Sequence, residues 1–326
     1  MKISDILHIT GGTLDNEPQI QAIESATVFP SKVERGDLFF AAKTEEIPSA
    51  VERGAYAVVY QGERPEGLDE EIAWIRVESV REAAFRLLRY VLLHKEADFV
   101  LLRPHEESLL RQVLTHKGNI AFLPSDWMRA FERILNGEEH LFVGSDRNML
   151  ETIRPEIERL EEEAEGTMIS DTLFRSTFKV QGYIYQQKEM APFHLDHLLR
   201  VVAFCDRRDL PYSLDRVRYT RHFQPLFVDG RLESVPRGST DRVLIFVDNL
   251  EDIVQAREYV HYQSSWAKSI VLTPPKTRVE KVERPYWFES PEEAREILKN
   301  THFNYAFIYS LDRKMLQSMR EEATLF

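Results

Sequence analysis

Glycine is scarce in this chain, at 13 of 326 residues, about 4% against an average near 7%. Loops that cradle phosphates use glycine so that backbone N–H groups can close on the oxygens, so a chain poor in it has few places for such a loop. Nowhere does lysine follow glycine, which excludes the Gly-Lys pair of a Walker loop anywhere in the sequence. Cysteine is nearly absent. Cys205 stands alone in the apolar run Val201–Cys205, so no intramolecular disulfide can form and a buried thiol is expected. No apolar stretch approaches the ~18 residues of a membrane span, and Met1–Asp5 lack the apolar core of a signal peptide. The expectation is a cytosolic protein with no membrane insertion. Positive charge is also in deficit: 42 Lys and Arg face 54 Asp and Glu, a net charge of -12. Such a field repels phosphate at long range and argues against non-specific nucleic-acid binding.

What is present is globular, with 43% hydrophobic and 29% charged residues. A chain of 326 residues exceeds one ordinary domain. Residues 4 to 10 read as a helix capped by Ser4 and stopped by Gly11-Gly12. Strands are expected at 38–42, 55–60 and 72–77, then an amphipathic helix at 80–93 with Val80, Ala84, Leu87, Leu88 and Val91 on one face. A second unit opens with a strand at 99–102, a loop at Arg103–Glu107 and a helix from Ser108 to about Thr115. It continues through a strand at 141–143, a helix at 154–165 bearing Glu161-Glu162-Glu163, a strand at 179–186, and helices at 195–205 and 214–223. Asp146 is expected as a helix cap. Strands at 242–247, 269–272 and 305–309 alternate with helices near 251–263, 291–299 and 313–321, the pattern of a doubly wound, largely parallel sheet.

This element order, with Arg35-Gly36-Asp37-Leu38-Phe39-Phe40-Ala41 and Gly54-Ala55-Tyr56-Ala57-Val58-Val59, resembles the Mur ligase family over nearly the whole chain. The branch most similar joins D-alanyl-D-alanine to a UDP-muramoyl tripeptide. The resemblance implies an α/β, three-part architecture. Residues 1–95 would form a UDP-sugar-binding-like domain, 96–225 a central domain about half the family length, and 226–326 a Rossmann-like parallel sheet.

The family's chemistry is missing from the positions that should carry it. Its Asp-Ser/Thr-Arg segment falls on Phe29-Pro30-Ser31, and its Gly-x-x-Gly-Lys-Thr phosphate loop falls on Arg103, Pro104, His105, Glu106, Glu107 and Ser108. Its Gly-Arg-His-Asn falls on Pro192-Phe193-His194-Leu195, so the histidine is kept and the asparagine is not. Its Asp-Asp-Ser-Tyr-Asn-Ala-Asn falls on Val247–Asp252, its Gly-Arg on Gly230-Arg231, and its Lys-Gly-Ser-Arg on Ser310–Arg313.

The resemblance without its motifs implies a pseudoenzyme: no ATP-dependent amide ligation, no catalytic residue, no cofactor and no metal. Its partner would be a UDP-muramoyl precursor or a protein of cell-wall synthesis. Arg218, Arg221, His194, Arg231 and Arg313 are the candidate ligand-binding residues. His194 and His197 have a metal-ligand spacing but no third ligand is visible in the sequence. The alternative is an enzyme of different chemistry that binds a phosphate or carboxylate through the basic run 207–222. Trp127, Trp266, Tyr286 and Trp287 are candidate partner anchors.

Overall fold

The computed structural model describes residues 1–64 and 69–315. Its contacts group into two units, residues 1–102 with 117–160, and residues 103–116 with 161–326. The helix expected at 313–321 falls largely outside the described residues.

The first unit contains two sheets among the described residues. One has the order Thr13–Leu14, Ala73–Arg76, Ala57–Tyr60, Leu38–Phe40, Ala26–Thr27, parallel except for the first strand. The other, Ile120–Phe122, Leu141–Gly144, Asp98–Leu101, Glu158–Arg159, is parallel throughout. The helix Ile3–Thr10 begins one residue earlier than expected, with Lys2 rather than Ser4 at its N-cap, and ends at Gly11 with φ 69°, the left-handed conformation that glycine adopts without a Cβ clash. The helix Val80–Leu92 buries Val80, Ala84, Leu87 and Leu88, as its 3.6-residue period requires. Residues on both sides of position 95 share one core. Phe40 and Phe131 meet edge-on at 5.6 Å, and the buried Glu132 accepts a hydrogen bond from Thr27.

Asp146 caps the helix Arg147–Ile153 by accepting from the Met149 amide. The helix expected at 154–165 does not form. Pro155 disfavours the helical region for Arg154, and the chain runs extended through Glu158–Arg159. Trp127 is half-buried and packs on Phe85, so it belongs to the core rather than to a partner surface.

The second unit opens with the helix Pro104–Val113. A three-stranded antiparallel sheet follows, Gly166–Thr172, Arg175–Val180 and Tyr183–Lys188. The single strand expected at 179–186 is in fact a hairpin, because Gln181 and Gly182 both take positive φ (49° and 88°) and form a tight turn. The helix Leu195–Arg207 buries Cys205, whose thiol burial pushes up to about 12, leaving it unreactive at neutral pH.

The last sheet has the order Phe223–Val228, Arg242–Val247, Tyr305–Tyr309, Ser269–Thr273, Tyr286–Trp287, with only Phe223–Val228 antiparallel. The helices Leu250–Gln263 and Pro291–Asn300 complete its α/β pattern. Trp266, Trp287 and Tyr286 are exposed, at 75%, 56% and 40%.

The helix expected at 214–223 is a 3-10 turn, Leu214–Arg216, followed by extended chain. A tertiary partner outcompetes the helix. The side-chain amide of Gln112 accepts from the Arg218 N–H at 2.9 Å and donates to the Tyr219 carbonyl at 3.2 Å, satisfying the backbone as a neighbouring strand would. Arg218 and Arg221 therefore do not share a helix face.

Candidate functional site

The segment Arg103–Ser108, expected as a loop, is instead the start of a helix. Pro104 occupies the first helical position, where a missing N–H costs nothing. Glu106 folds back so that its Oε2 accepts from the Arg103 amide at 2.8 Å. Its other oxygen faces His197 Nδ1 at 3.4 Å and Arg200 at 3.6 Å. Burial pushes the Glu106 carboxyl upward, but the hydrogen bonds from His197 and the Arg103 amide outweigh it, and the group is held below the usual carboxylate range. Glu107 pairs with Arg111 at 2.7 Å. Both carboxylates are buried, together with His105 and Ser108.

His105 lies at the centre of a histidine cluster. It comes from the first turn of Pro104–Val113, His194 from the turn leading into Leu195–Arg207, and Asp252 from the first turn of Leu250–Gln263. Three helix starts thus converge in one unit. His105 Nε2 lies 2.7 Å from Asp252 Oδ2, and His194 Nε2 lies 3.4 Å from Asp252 Oδ1. The two rings are 4.0 Å apart between centroids. On its other side, His105 Nδ1 meets Thr220 Oγ1 at 2.9 Å.

Burial pushes the Asp252 carboxyl upward, yet the hydrogen bonds from His105 and His194 more than offset this and hold it near about 2. An ionised Asp252 must accept, so His105 carries its proton on Nε2 and the Thr220 hydroxyl donates to Nδ1. Burial pulls His194 down to about 4, against a smaller opposing pull from Asp252, and the ring is neutral at neutral pH.

A cleft of about 440 Å³ lies beside the cluster, at the carboxyl ends of Arg242–Val247 and Tyr305–Tyr309. This is where open α/β sheets bind ligands. Arg221, His222, Asp248 and Arg313 line it. Arg221 Nε donates to His222 Nε2 at 3.1 Å, which leaves Nδ1 as the protonated nitrogen facing Asp248 at 2.5 Å. Neither Arg221 nor Arg313 has a carboxylate partner among the described residues.

Of the five residues expected to bind a ligand, the structure brings together two, Arg221 and Arg313. Arg218 turns to the carbonyls of Asp215 and Val217, and Arg231 sits exposed in the turn after Phe223–Val228. His194 joins the buried cluster instead of the cleft. His197 pairs with Glu106 and so does not join His194 as a donor; His194 is grouped instead with His105 and Asp252. The sequence offered one signal for Asp252, its place three residues after the helix cap Asn249. Nothing local marks Thr220.

The fold these elements build is similar to that of solved Mur ligases. It is similar to a MurF ligase from Thermotoga maritima solved in complex with ADP, at 11% identity and a TM-score of 0.55, covering 92% of this chain and 97% of that one. It is also similar to the UDP-N-acetylmuramoylalanyl-D-glutamyl-2,6-diaminopimelate–D-alanyl-D-alanyl ligase of Acinetobacter baumannii, at 14% identity and a TM-score of 0.53, covering 98% and 97%. No family model matches the sequence. No curated protein matches it either.

Proposed function

We propose that this chain is a non-catalytic Mur-ligase-like protein of the bacterial cytoplasm that binds a precursor or partner in peptidoglycan synthesis without forming an amide bond. In this reading the segments 1–95, 96–225 and 226–326 correspond to the family's domains in sequence order, with one core running across position 95 and the strand Phe223–Val228 across position 225.

The observation that carries the proposal is the start of the helix Pro104–Val113. A helix N-terminus binds phosphate through free N–H groups and a positive end. Here the anion is built in: Glu106 accepts from the Arg103 amide and is buried and ionised. A phosphate ~4 Å from that carboxylate would meet a repulsion of about 4 kcal/mol at an effective dielectric near 20. The cations nearest this carboxylate, Arg103 at 4.0 Å and Arg200 at 3.6 Å, reduce that repulsion but are already turned to Glu106, and no lysine stands within Arg103–Ser108 to hold a phosphate.

The expected result is that the purified chain, incubated with Mg-ATP, a UDP-muramoyl tripeptide and D-alanyl-D-alanine, forms no ADP and no ligated product. Turnover on that mixture would refute the proposal.

A second reading, an enzyme of different chemistry, is favoured by the cleft where Arg221, His222 and Arg313 converge. Two guanidiniums without carboxylate partners suit a phosphorylated or carboxylated ligand, and each charge-assisted hydrogen bond contributes about 1.5–3 kcal/mol. Replacing either arginine by alanine should therefore weaken binding of a UDP-muramoyl peptide at least tenfold in calorimetry. Unchanged affinity in the Arg221→Ala/Arg313→Ala double variant would remove the cleft from consideration.

A further inference from the structure

We infer that His105, His194 and Asp252 form a binding site for a divalent transition metal, with Zn²⁺ the ion best matched to it. The three donor atoms all lie within 4.8 Å of one another. Around a tetrahedral Zn²⁺ with bonds near 2.0–2.1 Å, neighbouring ligand atoms sit roughly 3.3 Å apart. The His194–Asp252 separation of 3.4 Å, measured to Oδ1, already has this value; the His105–Asp252 separation of 2.7 Å is measured to Oδ2, so the carboxylate must either turn one oxygen toward both imidazoles or bind through both oxygens, with the His105 contact opening by about 0.6 Å.

Charge supports the same assignment. Asp252 is 3% exposed, and among the described residues its partners are the two imidazoles, with no lysine or arginine. A buried carboxylate is ordinarily paired with a cation or bound to a metal, and here a dication would supply the missing charge. Two nitrogen donors with one carboxylate favour zinc or iron over magnesium, which takes oxygen ligands.

The surroundings fit as well. A ligating histidine needs a partner on its other ring nitrogen to fix its orientation, and Thr220 Oγ1 is 2.9 Å from His105 Nδ1. On metal binding the His105 proton passes from Nε2 to Nδ1 and the Thr220 hydroxyl changes from donor to acceptor. Three protein ligands leave a fourth position for water or a ligand atom, the coordination of reactive rather than structural zinc.

The test is metal binding by the full chain after chelator treatment. The expected result is one equivalent of Zn²⁺ bound in competition with a chelating dye, and a visible absorption band of tetrahedral type when Co²⁺ is added instead. His105→Gln, His194→Gln and Asp252→Asn should each lower Zn²⁺ affinity at least 100-fold, and Thr220→Val should lower it 10- to 100-fold. His140→Ala, which alters a histidine in the other unit, should leave it unchanged. Absence of binding by wild-type protein overturns the inference even if a variant fails to fold. So does binding that all four site variants retain at wild-type affinity, which would place the metal on other histidines.

Discussion

Asp252→Ala is expected to destabilise the metal-free protein by about 3 kcal/mol in urea unfolding. The substitution removes the acceptor for two buried imidazoles, His105 and His194, each 2% exposed. Hydrogen bonds to a charged group contribute about 1.5–3 kcal/mol each, and a buried donor left without an acceptor costs about 1–3 kcal/mol. The His105 bond at 2.7 Å should supply most of the loss, and the longer His194 bond at 3.4 Å the smaller part. Asp252→Asn keeps one acceptor oxygen and should lose about half as much. Asp248→Ala makes the informative contrast. Asp248 also accepts from a histidine, but its side chain is 55% exposed, so water replaces the partner and the loss should stay below ~1 kcal/mol. Equal losses at Asp252 and Asp248 would show that the cluster contributes no buried network.

The second large effect is on stability as a function of pH. His194 in the folded protein binds its proton only near about 4, because burial disfavours the charged ring. In the unfolded chain the same ring titrates near 6.5. Between these values the unfolded state holds the extra proton, so stability rises with pH and is lost as pH falls from 6.5 toward 4. At about 1.4 kcal/mol per unit the loss attributable to His194 approaches 3 kcal/mol. Carboxylates titrate over the lower part of this range too. The measurement is therefore the difference between chelator-treated wild type and His194→Gln at pH 7 and at pH 4. The variant should be the less stable at pH 7 and should have lost most of its disadvantage by pH 4. A gap that stays constant across the range would mean that His194 is not held neutral by burial.

The sequence made the parallel sheets legible because their strands are short apolar runs such as Arg242–Val247 and Tyr305–Tyr309, bounded by capped helices. It also made the missing phosphate loop legible, since lysine and glycine at fixed spacing are a local signal. The helix start at Pro104 was misread as a loop. The family's phosphate loop falls at this place, but proline at the first helical position is preorganised for the helix, and Glu106 completes the cap. The 214–223 segment failed for the opposite reason. Its composition tolerates a helix, and only a side chain about 106 residues away, Gln112, decides that it is extended. The histidine cluster was half visible. His194 and His197 share a spacing, but His105 and Asp252 reach the same point from helices 89 and 58 residues distant from His194, a proximity that no local pattern encodes.

The proposal that this chain binds no nucleotide is tested most directly by calorimetric titration of Mg-ATP into the purified chain. The account predicts no binding heat and no thermal shift at millimolar nucleotide, because Glu106 already occupies the anion position at the helix start. A saturable isotherm with micromolar Kd, stabilising the fold by a few kcal/mol at saturation, would contradict it.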